Sequence, residues 1–175
     1  PDGLRFKAGQ YLEWMLPHAE ADNRGIRRYF TIASAPTDNE LKFTVRFGER
    51  VSSFKSALKA MKQGDTITAS QLAGDFTLPE SADQKLPMVA GGIGVTPFIS
   101  QIADLSNTST PKPNTVLFYC NNTTVDIAYQ DKLQAAARTL PLRVVHILAK
   151  EQVAPHEHGF LTEDMIRRHT PDFIE

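Results

Sequence analysis

Residues 91–97 read Gly-Gly-Ile-Gly-Val-Thr-Pro and come directly after the apolar run Leu86 to Ala90. A short buried strand that breaks at adjacent glycines and opens into a helix constrains a chain more than any other local feature here. It requires a strand–turn–helix unit, and it sets bare backbone N–H groups around the place where an anion can sit. Gly91, Gly92 and Gly94 permit a tight turn and a close approach of the backbone to a phosphate group. Pro97 suits the first helical turn, where a missing N–H costs nothing. The pattern departs from the G-x-G-x-x-G fingerprint, because Pro97 stands where the third glycine would be. There is also no acidic residue of the expected kind about twenty residues further on. A turn that binds nothing is the competing reading.

Beyond the turn, strands and helices continue to alternate. The pattern predicts a helix from about Pro97 to Leu105, a strand over Thr115 to Cys120, a helix over Asp126 to Arg138 and a strand over Arg143 to Ala149. A last helix is predicted from Glu163 to His169, with Thr162 as N-cap, acids in its first turn, bases in its last and Pro171 behind it. Alternating strands and helices point to a parallel α/β sheet. Residues 1–80 are different in kind. Tyr29 to Ala33 is a short apolar run, Leu41 to Phe47 alternates strictly, and Thr66 to Ala69 is strand-like after the Gly64-Asp65 turn. Ser53 to Lys62 carries Phe54, Leu58 and Met61 at helical spacing. This mixture predicts a small antiparallel barrel with one helix. The fold class expected is therefore a two-domain α+β and α/β chain, divided in the polar stretch Ser81 to Lys85 into residues 1–83 and 84–175.

A content of 41% hydrophobic and 22% charged residues suffices for a real core. A net charge of −1 gives no electrostatic footprint for nucleic acid. Cys120 is the only cysteine, which excludes an internal disulfide and fits a reducing, cytoplasmic setting. No apolar run approaches the roughly 18 residues of a membrane span. The chain begins at Pro1 without Met and stops at Glu175, so both ends are expected to be cuts through a longer protein, a membrane-associated one included.

Taken together, the two units resemble the ferredoxin–NADP reductase superfamily of flavin oxidoreductases over essentially the whole length of the chain. The resemblance is carried by Phe6 to Tyr11 as the entry strand, by Arg28-Tyr29-Phe30-Thr31 against the family's Arg-x-Tyr-Ser/Thr signature, by Gly74 to Pro79 closing the first domain, by the glycine turn, and by Tyr119 with Asp126 to Tyr129. It implies an antiparallel FAD-binding barrel followed by a Rossmann-like domain that binds NAD(P)H. It also implies hydride passing from the nicotinamide to FAD and electrons passing onward to an iron–sulfur or haem partner. Arg28, Tyr29, Phe30 and Thr31 form the implied flavin-facing run. Arg28 would pair with the FAD pyrophosphate, Phe30 would stack on the isoalloxazine, and the Thr31 hydroxyl, as the catalytic group, would lie near flavin N5. Val51, Ser52 and Ser53 would present N–H groups to the same pyrophosphate. Gly91, Gly92, Gly94, Thr96 and Pro97 would hold the nicotinamide dinucleotide, with Thr96 at the domain seam.

Three departures qualify what the resemblance implies. Phe30 lacks the hydroxyl of the family's Tyr. Asn122 stands where many relatives carry Arg, which favours NADH over NADPH. No Cys-Gly-Pro turn follows Glu175. A non-catalytic or partner-reduced flavin- or nucleotide-binding module of a larger electron-transfer complex is the alternative. No metal site is expected: His156-Glu157-His158, between Pro155 and Gly159, reads as a solvated loop, because a competent centre needs three or four ligands.

Overall fold

The computed structural model describes residues 4–79, 84–109 and 112–173. The expected boundary residues Ser81, Ala82 and Asp83 lie outside the described residues. Two sheets organise the chain. The first is antiparallel, in the order β2-β1-β3, built from Tyr11–Met15 (β1), Arg27–Thr31 (β2) and Thr68–Ala73 (β3). The second is parallel, in the order β4-β5-β6-β7, built from Leu86–Gly91, Thr115–Asn121, Leu142–Leu148 and the two-residue Glu157–His158.

In the first sheet Leu12 and Trp14 pair opposite Phe30 and Arg28. Strand side chains alternate between faces, so these four share one side of the sheet. Leu12, Trp14 and Leu16 bury there with Ile32 and Phe54. Phe54 comes from helix α1 (Ser53–Ala60), whose N-cap Ser52 accepts from Lys55 N. The strand expected over Leu41 to Phe47 joins no ladder. It is extended chain that sends Leu41 and Phe43 into the same core and is tied by Ala33 N to the carbonyl of Lys42 at 2.6 Å. Its alternation reports one-sided burial, which an unladdered segment satisfies equally well.

The second sheet is covered on both faces, which explains why β5 is buried along almost its whole length. Helix α2 (Thr96–Asn107) contributes Phe98, Ile99 and Ile102, and helix α3 (Gln130–Ala136) contributes Leu133, to one face. Helix α4 (Glu163–His169) brings Met165 and Ile166 to the other, over Val116, Phe118, Val145 and Ile147. Thr162 caps α4 as expected, accepting from Met165 N. The helix expected from Asp126 is shorter. Thr124–Asp126 is a single 3-10 turn, Ile127 is extended, and Tyr129 sits at φ 61°, so α3 begins only at Gln130.

The two sheets are joined through α2. The buried hydroxyl of Ser100 donates to the carbonyl of Ser34 at 2.7 Å, Gln101 Nε2 donates to the carbonyl of Phe76 at 2.8 Å, and Asn107 Nδ2 donates to Thr37 Oγ1 at 2.8 Å. Further along the seam, Thr44 hydrogen-bonds the hydroxyl of Tyr129 and Arg46 pairs with Asp126.

Candidate functional site

The glycine turn has the form expected of an anion cradle. Strand β4 ends at Gly91, residues Gly92–Val95 make one 3-10 turn, and α2 starts at Thr96 with Pro97 in its first turn. Gly92 lies at φ +49°, a conformation that favours glycine. A Cβ added at Gly91, Gly92 or Gly94 would meet no other atom within 4 Å, so the space beside all three is open. Val95 is fully buried and Thr96 nearly so, which anchors the turn from below.

Beside this turn, at the carboxyl ends of β4, β5 and β6, lies a cavity of about 220 Å³. Gly92, Asn121, Asn122, Ala149 and Phe160 line it, and Arg46 reaches into it from the first unit. This is the edge of a parallel sheet where ligands of α/β folds bind. Asn122 therefore stands where its place in the sequence puts it. Arg46 was not foreseen. Its only sequence signal is a cation at the end of an alternating run.

The second candidate cluster sits on β2 and the start of α1. Arg28 is buried, 8% exposed, with its guanidinium 5.3 Å from the centre of the Phe54 ring. Its Nη1 donates to the carbonyls of Arg24, Gly25 and Arg27 at 2.7–2.9 Å. Its Nη2 donates to Asp22 Oδ1 at 3.1 Å. The Asp22 carboxylate also accepts from the backbone N–H groups of Ser53, at the start of α1, and of Arg24. Burial pushes the Asp22 carboxyl up, and the hydrogen bonds from Arg24, Ser53 and Arg28 more than offset this, leaving it below the ordinary aspartate value. A buried guanidinium beside a helix-start N–H is a donor set for an anion. It fits a phosphate as it fits this carboxylate. Arg28 and Ser53 are thus brought together through Asp22, while the Ser52 hydroxyl caps α1 and Val51 is exposed. Asp22 is the member that sequence reasoning missed. Its signal is the Asp-Asn-Arg-Gly turn six residues before Arg28.

The rings of the run differ from expectation. Phe30 is stacked parallel on Phe43, centroids 5.1 Å apart and planes 1° apart, and it also meets Phe54. One of its faces is therefore taken by the chain itself, and a flavin could use only the other. Its neighbour Tyr29 points to the opposite side of the sheet, 58% exposed and edge-on to Tyr11. Thr31 closes β2 opposite Tyr11, three residues before Ser34.

The His156-Glu157-His158 segment is not a solvated loop throughout. Glu157 and His158 form the edge strand β7, and the Glu157 carboxylate takes Arg168 at 2.9 Å and His169 at 2.7 Å. Among the described residues no group of three His, Cys, Asp or Glu is placed to hold a metal ion. Nor is any helix among them long and apolar enough to cross a membrane.

Residues 88–174 match the oxidoreductase NAD-binding domain family. Among curated proteins the chain is 30% identical over 144 residues to methane monooxygenase component C of Methylosinus trichosporium, covering 82% of this chain and 41% of that protein. It is 27% identical over 150 residues to NADH-cytochrome b5 reductase 2 of Mycosarcoma maydis, covering 83% and 42%. The chain thus spans about two fifths of the length of these relatives. In fold it is similar to the cytochrome b5 reductase domain of Ulva prolifera nitrate reductase, with a TM-score of 0.79 at 20% identity over 93% of this chain and 69% of that one. A ferredoxin NADP+ reductase from Neisseria gonorrhoeae with bound FAD and NADP gives 0.72 at 21% identity, over 97% and 67%. The family match and the sequence relatives, with a fold that agrees, place this chain in the ferredoxin–NADP reductase-type oxidoreductase family.

Proposed function

We propose that this chain is the flavin- and nicotinamide-binding part of an NAD(P)H-dependent FAD oxidoreductase that serves a haem or iron–sulfur electron carrier. One observation carries the reading. The two candidate runs are tied to each other, because Ser34, three residues after Thr31, accepts from Ser100, four residues after Thr96. A chain that must hold two cofactors face to face needs such a link. The relatives' names, a monooxygenase component and a cytochrome b5 reductase, point the same way.

In this reading the flavin unit is residues 1–83 and the nucleotide unit residues 84–175. Arg28 and the Ser53 N–H hold the FAD pyrophosphate, with Val51 and Ser52 beside them. Phe30 offers the ring face not covered by Phe43, Tyr29 braces β2 from the opposite side of the sheet against Tyr11, and Thr31 supplies the hydroxyl at the N5 edge. Gly91, Gly92, Gly94, Thr96 and Pro97 hold the dinucleotide of NAD(P)H. Bound FAD supplies the chemistry, accepting a hydride from the reduced nicotinamide and passing electrons on singly. The protein supplies position and electrostatics. Neutral Asn122, with Arg46 already neutralised by Asp126, favours NADH. A cytoplasmic setting, with any membrane-bound part elsewhere in the full protein, fits this assignment.

The test is anaerobic reconstitution of the protein with FAD, followed by NADH and then NADPH while the flavin absorbance is recorded. Rapid bleaching is expected, faster with NADH. FAD uptake without bleaching by either donor would favour a flavoprotein reduced by a partner. No FAD uptake would favour a non-catalytic module.

A further inference from the structure

Arg28 and the first N–H of α1 form an anion seat in the flavin unit, and a side chain of the chain itself already sits in it. Asp22 Oδ1 takes Arg28 Nη2 at 3.1 Å and Arg24 N at 3.0 Å, while Oδ2 takes Ser53 N at 3.2 Å. We propose that the Asp22 carboxylate is an internal competitor for the pyrophosphate of the flavin, occupying its seat in the unloaded protein and rotating out when the cofactor binds. This rests on the flavin reading of the Arg28 cluster given above.

Local anchoring separates what must move from what stays. The main chain at Asp22 is pinned on both sides: its N–H donates to Ser53 Oγ at 2.9 Å, and its carbonyl accepts Gly25 N at 2.8 Å. His18 Nε2 lies 3.0 Å from the same Ser53 hydroxyl. None of these contacts uses the carboxylate. Arg28 is likewise held by three carbonyls that do not depend on Asp22. Rotation of one side chain, 29% exposed to water, therefore empties the seat while the guanidinium and the helix start keep their places. A pyrophosphate and a carboxylate cannot share the seat, because like charges a few ångströms apart repel. Retaining the aspartate fills the donor set in the absence of cofactor, since a buried, unpaired guanidinium is costly.

The experiment compares the wild-type protein with Asp22→Asn and Asp22→Glu, using FAD, riboflavin and inorganic pyrophosphate as probes. Binding is read by flavin fluorescence for the first two and by displacement of FAD for the third, and the melting temperature is read with and without FAD. Asp22→Asn keeps the shape and removes the charge. It is expected to bind FAD and pyrophosphate about tenfold more tightly, an effect between that of one charge pair in bulk water and that of one near a protein surface. Riboflavin, which has no phosphate, is expected to be unaffected, and Asp22→Glu to bind FAD as the wild type does. The unloaded Asn variant melts lower and the loaded one higher than wild type, a reversal that a merely structural aspartate does not produce. Equal or weaker FAD binding by Asp22→Asn, or riboflavin tightened to the same extent, overturns the competitor and leaves the flavin reading standing. FAD bound by none of the three proteins removes the flavin reading, and the competitor with it.

Discussion

The hydroxyl of Ser100 donates to the carbonyl of Ser34 across the seam between the two sheets, at 2.7 Å and with both residues shut off from water. Removing the donor strands a buried carbonyl. Ser100→Ala is therefore expected to destabilise the fold by about 1–3 kcal/mol. The check is a urea titration in which the midpoint falls and the slope stays constant. A loss of only a few tenths would mean that the seam relaxes around the missing bond.

Gly9 lies where the first unit meets the second. Its φ is +101°, and a Cβ there would stand 1.9 Å from the carbonyl oxygen of Phe76 and 2.7 Å from Gln101 Nε2. Gly25 also has positive φ, +67°, but open space around it. Gly25→Ala thus carries the conformational cost alone, about 1–2 kcal/mol. Gly9→Ala adds a backbone clash and the loss of the Gln101 bond, so about 3 kcal/mol or more is expected. The two variants measured side by side by chemical denaturation isolate the clash. Equal losses would show that the extended chain at Phe76 yields freely.

The ion pair between Arg46 and Asp126 joins the units beside the cavity at the glycine turn. Arg46 is half exposed, so a double-mutant cycle of Arg46→Ala with Asp126→Asn is expected to yield a coupling of only about 0.2–1 kcal/mol that shrinks with salt. Asp126→Asn alone should cost more than Arg46→Ala, because the same carboxylate closes a capping box with the Thr123 N–H and hydroxyl. Reversal of that order would mean that the capping box contributes little.

His146 is half-buried on β6, its ring 5.7 Å from Tyr119 and 5.2 Å from His156, and its Nδ1 has no partner. Burial, and then the charge of His156, hold its pKa below the ordinary 6.5. The unfolded chain therefore takes up this proton first as pH falls through 6.5, and stability drops there. The described carboxyls with lowered pKa, Glu13, Asp22, Asp126 and Glu157, titrate below this window, and the His146 variant separates its imidazole from the other groups. Denaturation midpoints at pH 7.5 and 5.5 are expected to converge in His146→Phe. An unchanged difference in that variant would assign the slope elsewhere.

The parallel half is readable from the chain because its signals are local. A run such as Leu86 to Ala90, the glycines behind it, and Thr162 followed by acids each fix a short piece of backbone by sterics or capping, without help from afar. The antiparallel half is readable only in outline. Alternation over Leu41 to Phe47 records which side is buried and says nothing of ladder partners. The environment of Phe30 is hidden in the same way, since only tertiary packing reveals that Phe43 covers one face of its ring. Asp22 and Arg46 escape notice because each acts through a residue far along the chain, Ser53 in one case and Asp126 in the other, and no spacing rule links such pairs.

Helix α2 begins at the glycine turn and, within its second turn, is bonded through Ser100 and Gln101 to the chain just beyond β2 and β3. At 1.5 Å of rise per residue, Thr96 and Ser100 are separated by only about 6 Å along the axis. The gap between the two cradles is thus gauged by a strut little more than one helical turn long. Such a strut does not act as a hinge. Displacing the glycine turn drags Ser34 and the chain just beyond β2 along with it, so a shift at one cradle is felt at the other.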